Sequence, residues 1–429
     1  MKQARRHYKW WLVAAACLVL LAAAWAIMWR PALPERSGAL AAFDTAQVQR
    51  GANLARLGMC AACHTPDVAE PFAGGLALAT PFGTVHSTNI TPDTRTGIGA
   101  WSEEAFTRAM RKGVSRDGHL LYPAFPYNHY TKLSQDDMRA LYAFFMTRPA
   151  IEAPARENRM TFPFGFRPLV GFWNLLYLDD SSWQADAKQP AEWNRGAYVV
   201  DALAHCAACH TPRSVLGGPK LSRQFDGGEA EDWYVPALNA NSPSPTPWTR
   251  EHLAEYLRTG IAPGHAVAGG PMQDVVVNLG QADPRDVQAV ATYIHGYLAQ
   301  APARPAPAPG PLPAPRENDA DIARMRLGHE TYVMACARCH DAGREASSGA
   351  ALNLQQAVAL YDPDPRSLIH IVVEGIHPPD GEPGRVMPGF ATILNDEQLT
   401  ALAAYLRRYG ANAEPWDGLE DSVKKAKKP

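Results

Sequence analysis

The chain has 429 residues, room for roughly three domains at about 150 residues each. Charged residues are only 20% and prolines number 37, so long connecting segments are expected. A formal net charge of -2, from 43 acidic and 41 basic residues, lacks the clustered positive charge that nucleic acid demands, and a 46% hydrophobic fraction excludes wholesale disorder.

Residues 1–9 form a basic segment with Lys2, Arg5, Arg6 and Lys9, followed by an uncharged apolar run from Trp10 to Trp29. Twenty helical residues reach about 30 Å, enough to cross a bilayer, and the positive-inside rule would keep the basic end in the cytoplasm. The run reads as a retained anchor over residues 10–29 or as a signal peptide cleaved near Ala24-Trp25-Ala26. Its length and its terminal tryptophans favour the anchor. The expected location is the cytoplasmic (inner) membrane, with the rest of the chain on the periplasmic side. Cys17, with apolar residues continuing beyond it, reads as a membrane-facing residue.

The first copy of a repeated pattern follows, Cys60-Ala61-Ala62-Cys63-His64, and it recurs as Cys206-Ala207-Ala208-Cys209-His210 and Cys336-Ala337-Arg338-Cys339-His340. C-x-x-C-H is the spacing of c-type haem attachment. Two thiols three positions apart reach the two vinyl groups of one porphyrin, and the adjoining histidine offers a neutral imidazole to the iron. A redox dithiol or half of a zinc site would explain one isolated copy. Three copies, each with its own histidine and no cysteine left to complete a Cys₄ centre, point to three covalently bound haem c groups.

The flanking sequence repeats as well. A glycine precedes each motif in a helical approach, at Gly51, Gly196 and Gly328. Helical stretches then run from Trp101 to Gly113-Val114, from Trp248 to Gly260-Ile261 and from Pro363 to Gly375-Ile376. Twelve residues beyond those last glycines stand Phe125, Met272 and Met387. Closing amphipathic helices are expected over Leu133–Phe145, Leu279–Tyr297 and Leu394–Tyr409. The fold class is therefore all-α: three tandem class I cytochrome c domains, 45–148, 192–298 and 320–412, behind the N-terminal helix.

Met272 and Met387, beside loop-forming proline and glycine, are the expected sixth ligands, and thioether ligation raises a haem's potential relative to bis-imidazole ligation. Phe125 cannot bind iron. His129, four residues on, is the nearest imidazole of that loop, ahead of His119, and Met110 and Met138 look like core. A His64/His129 pair would give the first site the lowest potential.

Between the domains, residues 149–191 carry Phe162, Phe164, Phe166, Phe172, Trp173, Leu175, Leu176 and Tyr177. They are too apolar for a solvated loop, so the junction of the first two domains, a partner or a membrane surface should cover them. Residues 299–319 are a linker with seven prolines within 301–315, a semi-rigid spacer that either tethers the third domain or lies along its surface. The tail, 413–429, ends in a solvated lysine cluster of Lys424, Lys425, Lys427 and Lys428.

Asn89-Ile90-Thr91-Pro92-Asp93, Thr96-Gly97-Ile98-Gly99 and Leu121-Tyr122-Pro123-Ala124, together with the three C-x-x-C-H motifs, resemble the triple-haem cytochrome c subunits of bacterial membrane-bound dehydrogenases over residues 45–412. That family includes the cytochrome subunits of quinohaemoprotein alcohol dehydrogenases. Ala124-Phe125-Pro126-Tyr127, residues Phe162 to Leu169 and Trp173-Asn174-Leu175-Leu176 are closer to the branch that accompanies molybdenum hydroxylases such as nicotinate or isoquinoline dehydrogenases. The resemblance implies an electron-transfer subunit with no catalytic residues of its own. Its partners would be dehydrogenase chains carrying molybdopterin and [2Fe-2S] clusters, and ubiquinone or another respiratory acceptor. A haem peroxidase working at an open first site, and a free-standing membrane electron carrier, are the alternatives.

Overall fold

The computed structural model describes residues 11–427, except 13, 14, 20, 21, 26, 39–41, 263, 303–307, 309, 342–351 and 378–386. The basic segment 1–9, Trp10 and Lys428 thus lie outside the described residues. The chain divides into two compact units, residues 1–184 with 215–218, and residues 185–214 with 219–429.

In the first unit, the helix Thr45–Leu57 crosses the helix Gln135–Met146. Each starts on a side-chain cap, Asp44 accepting from the Gln47 N–H and Ser134 from the Asp137 N–H. The crossing is close because Gly51 has no side chain: a Cβ there would run into the Ala140 carbonyl and stand 2.7 Å from the Phe144 Cβ. The helix Glu103–Lys112, capped by Ser102, ends at Gly113 in left-handed conformation (φ 61°), as the sequence pattern predicts. Leu54, Leu57, Met138 and Leu141 are fully buried between these helices. A small antiparallel sheet lies outside the helices, with Gly83–His86 between Ala77–Thr80 and Arg159–Met160.

The second unit contains the same crossing twice. Helix Ala191–Tyr198 meets Pro284–Leu298, and Ile322–Ala335 meets Asp396–Gly410. Gly196 faces Ala289 and Tyr293, and Gly328 faces Ala401 and Tyr405, in the manner of Gly51. Helices Arg250–Thr259 and Arg366–Glu374 end at Gly260 (φ 75°) and Gly375 (φ 82°). The expected closing helix from Leu279 is two helices, Pro271–Gly280 and Pro284–Leu298, because Pro284 starts a new helix behind the Asp283 cap. Two short hairpins, Gly228–Ala230 with Trp233–Val235 and Ile261–Ala262 with Ala266–Val267, add strand to a helical body.

The spacing between the approach glycine and the first cysteine differs among the copies: nine residues from Gly51 to Cys60, ten from Gly196 to Cys206 and eight from Gly328 to Cys336. In the longest copy the helix widens into a π-helical turn, Val199–Leu203, which absorbs extra length without breaking the helix. Met59 (φ 51°) and His205 (φ 42°) then take left-handed conformations just before the cysteine.

Among the described residues no helix is long and apolar enough to cross a membrane, which overturns the expected inner-membrane location. Composition alone suggested the span, but the end of the apolar run packs on the protein. The Ile27 side chain would stand 3.0 Å from a Cβ at Gly171, and helix stops at Met28. Beyond it, Leu33 N–H donates to Arg116 O at 2.7 Å and Arg36 N–H to Ala100 O at 2.9 Å, tying the following segment to the first unit.

Residues 159–177 also belong to this unit. Tyr122 Oη donates to Phe164 O at 3.0 Å, Tyr127 Oη to Asn174 Oδ1 at 2.7 Å and Trp173 Nε1 to Leu216 O at 3.1 Å. Val170 is buried while Phe162, Phe166, Leu175 and Leu176 are exposed. In the second unit the end of the proline-rich segment lies along the last helix pair. Leu312 is buried, Tyr405 Oη donates to Pro313 O at 2.9 Å and Gln355 Nε2 to Gly310 O at 2.7 Å.

Candidate haem-attachment sites

Each C-x-x-C-H segment is a single helical turn: Cys60–His64, then Ala207–His210 behind Cys206, and Ala337–His340 behind Cys336. A turn of helix sets the two thiols of each pair on one side, with the histidine one position further round. Among the described residues no disulfide joins any of these cysteines. Burial pushes the Cys60, Cys206 and Cys336 thiols up to about 12, so they are neutral thiols at pH 7. A redox dithiol instead depends on a thiol whose ionisation is eased.

The histidines share one arrangement. His64 Nδ1 donates to Thr88 O at 2.6 Å, His210 Nδ1 to Pro236 O at 2.8 Å and His340 Nδ1 to Leu352 O at 2.9 Å. A carbonyl can only accept, so in each ring the proton sits on Nδ1 and the Nε2 lone pair is left for a metal. Burial lowers the basicity of all three rings, His210 to about 4, and keeps them neutral. Two unbridged cysteines on one helical turn and an oriented neutral imidazole, three times over, are the donor set that covalent haem c requires, and these residues fit it.

Two supports were not foreseen from sequence. Thr65 and Thr211, immediately after the histidines, accept from the backbone N–H of Phe72 and Phe225 through their Oγ1, each at 3.0 Å. Both phenylalanines have left-handed backbones (φ 66° and 60°) and pack on the closing helices, Phe72 against Phe144 and Phe145, Phe225 against Tyr297. The shared His-Thr-Pro run is the signal that could have revealed them. The third motif has Asp341 there, and Tyr332 Oη donates to its carboxylate at 2.5 Å.

Comparable loops lead to the first two sixth-ligand positions, and Met272 itself lies in the first turn of the helix Pro271–Gly280. Leu121 N–H donates to Gly113 O and Ala268 N–H to Gly260 O, each at 2.7 Å, and four residues later come Phe125 and Met272 respectively. Met387 pairs with Ile376 through bonds of 2.8 and 2.9 Å, and it packs with Cys336 and Ala337 against one core. In the first unit the short helix Tyr127–Tyr130 carries His129, and the Phe125 ring stands 5.4 Å from that of Tyr130. Tyr130 reaches the cysteine turn: its hydroxyl donates to Gly58 O at 3.4 Å, and burial, with Cys60 and Cys63 nearby, raises it well above its usual range. His119 is paired with Asp117 at 2.5 Å on the surface, while Met110 and Met138 are buried.

The cytochrome c family model matches residues 48–149, and the model for cytochrome c oxidase cbb3-type subunit III matches residues 323–406. The fructose dehydrogenase cytochrome subunit of Gluconobacter japonicus is 32% identical over 431 residues, covering 95% of this chain and 88% of that protein. The chain belongs to the cytochrome c subunits of dehydrogenases. The gluconate 2-dehydrogenase cytochrome c subunit of Pantoea cypripedii is 37% identical over 85% of this chain and 86% of its own length. A nicotinate dehydrogenase subunit of Pseudomonas putida is 40% identical over 96% of this chain, yet the chain spans only 35% of that larger protein. Membership makes this cytochrome a haem c protein that carries electrons in a dehydrogenase complex.

Proposed function

We propose that the cytochrome holds three haem c groups and passes electrons from a molybdenum-hydroxylase-type partner dehydrogenase to ubiquinone or another respiratory acceptor. The observation that carries this reading is the threefold recurrence of two unbridged cysteines and a carbonyl-anchored histidine. The unit over residues 192–298 is assigned as a third cytochrome c domain because it repeats the glycine-to-alanine helix crossing, the cysteine turn and the histidine anchor of the other two. Similarity to the nicotinate dehydrogenase subunit, and the Phe125 that replaces methionine, support the molybdenum branch.

Bound at these sites, haem c supplies a one-electron iron couple. The chain's own residues do the rest. Cys60 and Cys63, Cys206 and Cys209, and Cys336 and Cys339 form the thioether links. His64, His210 and His340 present Nε2 in a fixed orientation, and Met272 and Met387 supply sulfur ligands that favour a high potential. His129, beside the Tyr130 that reaches the first cysteine turn, is assigned as the sixth ligand of the first site.

Intact mass of the full chain tests the haem number: three haem increments are expected, and fewer would overturn the reading. Electron paramagnetic resonance should resolve one bis-histidine and two histidine–methionine centres. Three histidine–methionine centres would remove His129. Co-purification with a large dehydrogenase chain, and its reduction of the cytochrome, test the partner.

A further inference from the structure

In the second unit the hairpin Gly228–Val235 packs against the helix Arg366–Glu374. Its strand Trp233–Val235 runs into Pro236, whose carbonyl anchors His210. The Trp233 indole lies directly against Gly270, where any Cβ would collide with the ring and where the backbone is left-handed (φ 51°). Gly270 is the N-cap of the helix Pro271–Gly280, whose first turn carries Met272. One tryptophan therefore touches the N-cap of the helix bearing the proposed sulfur ligand and lies three residues from the carbonyl that orients His210.

The other partner of the indole comes from the third domain. His370, in the helix Arg366–Glu374, stacks on Trp233 with centroids 5.1 Å apart and planes 21° apart. Both rings are buried, at 8% and 7% exposure. His370 Nδ1 is held by Glu374 Oε1 at 2.5 Å. The hairpin turn beside Trp233 consists of Glu231 (φ 50°) and Asp232 (φ 69°), a conformation that costs non-glycine residues energy and needs outside support. The third domain and the tail that follows it provide it. Arg366 Nη1 lies 3.1 Å from Glu229 and 3.5 Å from Asp232, Lys425 Nζ is 2.5 Å from Asp232, and Ser367 Oγ donates to Tyr234 O at 2.6 Å.

We propose that the Trp233–His370 stack is a positioning device through which the third domain holds Met272 in ligand register at the second site. The inference rests on Met272 being the sulfur ligand there. Trp233 presses the Gly270 peptide into its left-handed turn, His370 fixes the plane of the indole, and the Arg366–Asp232–Lys425 cluster keeps the hairpin that carries it in place. Without the stack, the turn is free to move and the thioether leaves its position while the cysteine links and His210 stay.

The test uses the full-length, haem-loaded chain and reads the near-infrared absorption given by sulfur–ferric iron ligation, with the potential of each centre. Met272→Ala defines the share of that absorption belonging to the second site. Trp233→Ala is expected to lose the same share, His370→Ala at least half of it, and His370→Phe, which keeps a flat ring, almost none. The haem increments should stay at the unsubstituted number, which separates loss of the ligand from loss of the cofactor. Retention of the whole share in Trp233→Ala, or equal damage from His370→Phe and His370→Ala, would overturn the proposal. If Trp233→Ala fails to fold, the two His370 variants decide. If Met272→Ala itself leaves the absorption whole, the ligand assignment falls and the proposal with it, whereas loss in Met272→Ala alone refutes only the stack.

Discussion

Arg50 and Asp137 are joined at 2.7 Å across the helix crossing of the first unit, and Arg195 and Asp286 form the same pair, also 2.7 Å, at the equivalent crossing in the second. Each arginine immediately precedes the crossing glycine, and each aspartate lies three residues before the alanine that the glycine meets. Asp137 is only 2% exposed, so removing Arg50 takes the counter-charge from a buried carboxylate, while the half-exposed arginine limits the penalty. Arg50→Ala should therefore destabilise the first unit by about 2 kcal/mol, measured by denaturant unfolding. The third crossing has Leu327 and Gln398 at these positions, and Leu327→Ala should leave no stranded charge.

The crossing glycines are a sharper test, because nothing at the contact can yield. A methyl group on Gly196 would meet the backbone carbonyl of Ala289, with the Tyr293 Cβ 2.9 Å away. Helix propensity favours alanine over glycine by about 1 kcal/mol, so a stabilised variant would show that the helices part easily. Overpacking of this kind costs about 3 kcal/mol, and Gly196→Ala is expected to unfold earlier by roughly the difference. Thermal unfolding followed by circular dichroism decides between the two signs.

Much of this was written in the sequence. Gly51, Gly196 and Gly328 mark the helical approaches to the motifs, and two closing helices begin where Ser134 and Asn395 supply caps, whereas the break before Pro284 was not expected. What stayed hidden depends on backbone groups or on distant pairs. The acceptors of the three histidines, at Thr88, Pro236 and Leu352, are carbonyls that any residue could provide, 24, 26 and 12 positions away. Trp233 and His370 meet only because the domains on either side of the proline-rich segment pack together within one unit. The N-terminal run misled for the opposite reason: apolar composition does not distinguish a span from a segment that ends against Gly171.

The threonine that follows two of the motif histidines gives a third prediction. Thr211 is 1% exposed and its hydroxyl is the acceptor for the Phe225 N–H, in a residue whose left-handed backbone is already costly. Valine keeps the shape and removes the acceptor, leaving a buried donor unmet at about 1–3 kcal/mol. Thr211→Val should lower the unfolding midpoint of the second unit and speed hydrogen exchange at Phe225. An exchange rate equal to that of the unsubstituted protein would show that the bond contributes nothing.

Asp362 sets the expected pH dependence of the second unit. It is 2% exposed, its Oδ1 has no hydrogen-bond partner among the described residues, and burial, reinforced by Asp364, raises its carboxyl well above the usual range while Arg407 opposes the rise. A group held more tightly protonated in the folded state than in the unfolded one stabilises at low pH, and that contribution is lost as pH rises through and above about 3.9. Asp362→Asn, which cannot ionise, should therefore raise the unfolding midpoint near pH 7 by several degrees, about 4 °C or more. Near pH 3.5 the gain should shrink toward zero, because aspartate is then protonated in both states. Should the asparagine variant instead be less stable at pH 7, Asp362 would be ionised in the folded protein, with Arg407 as its counter-charge outweighing the burial.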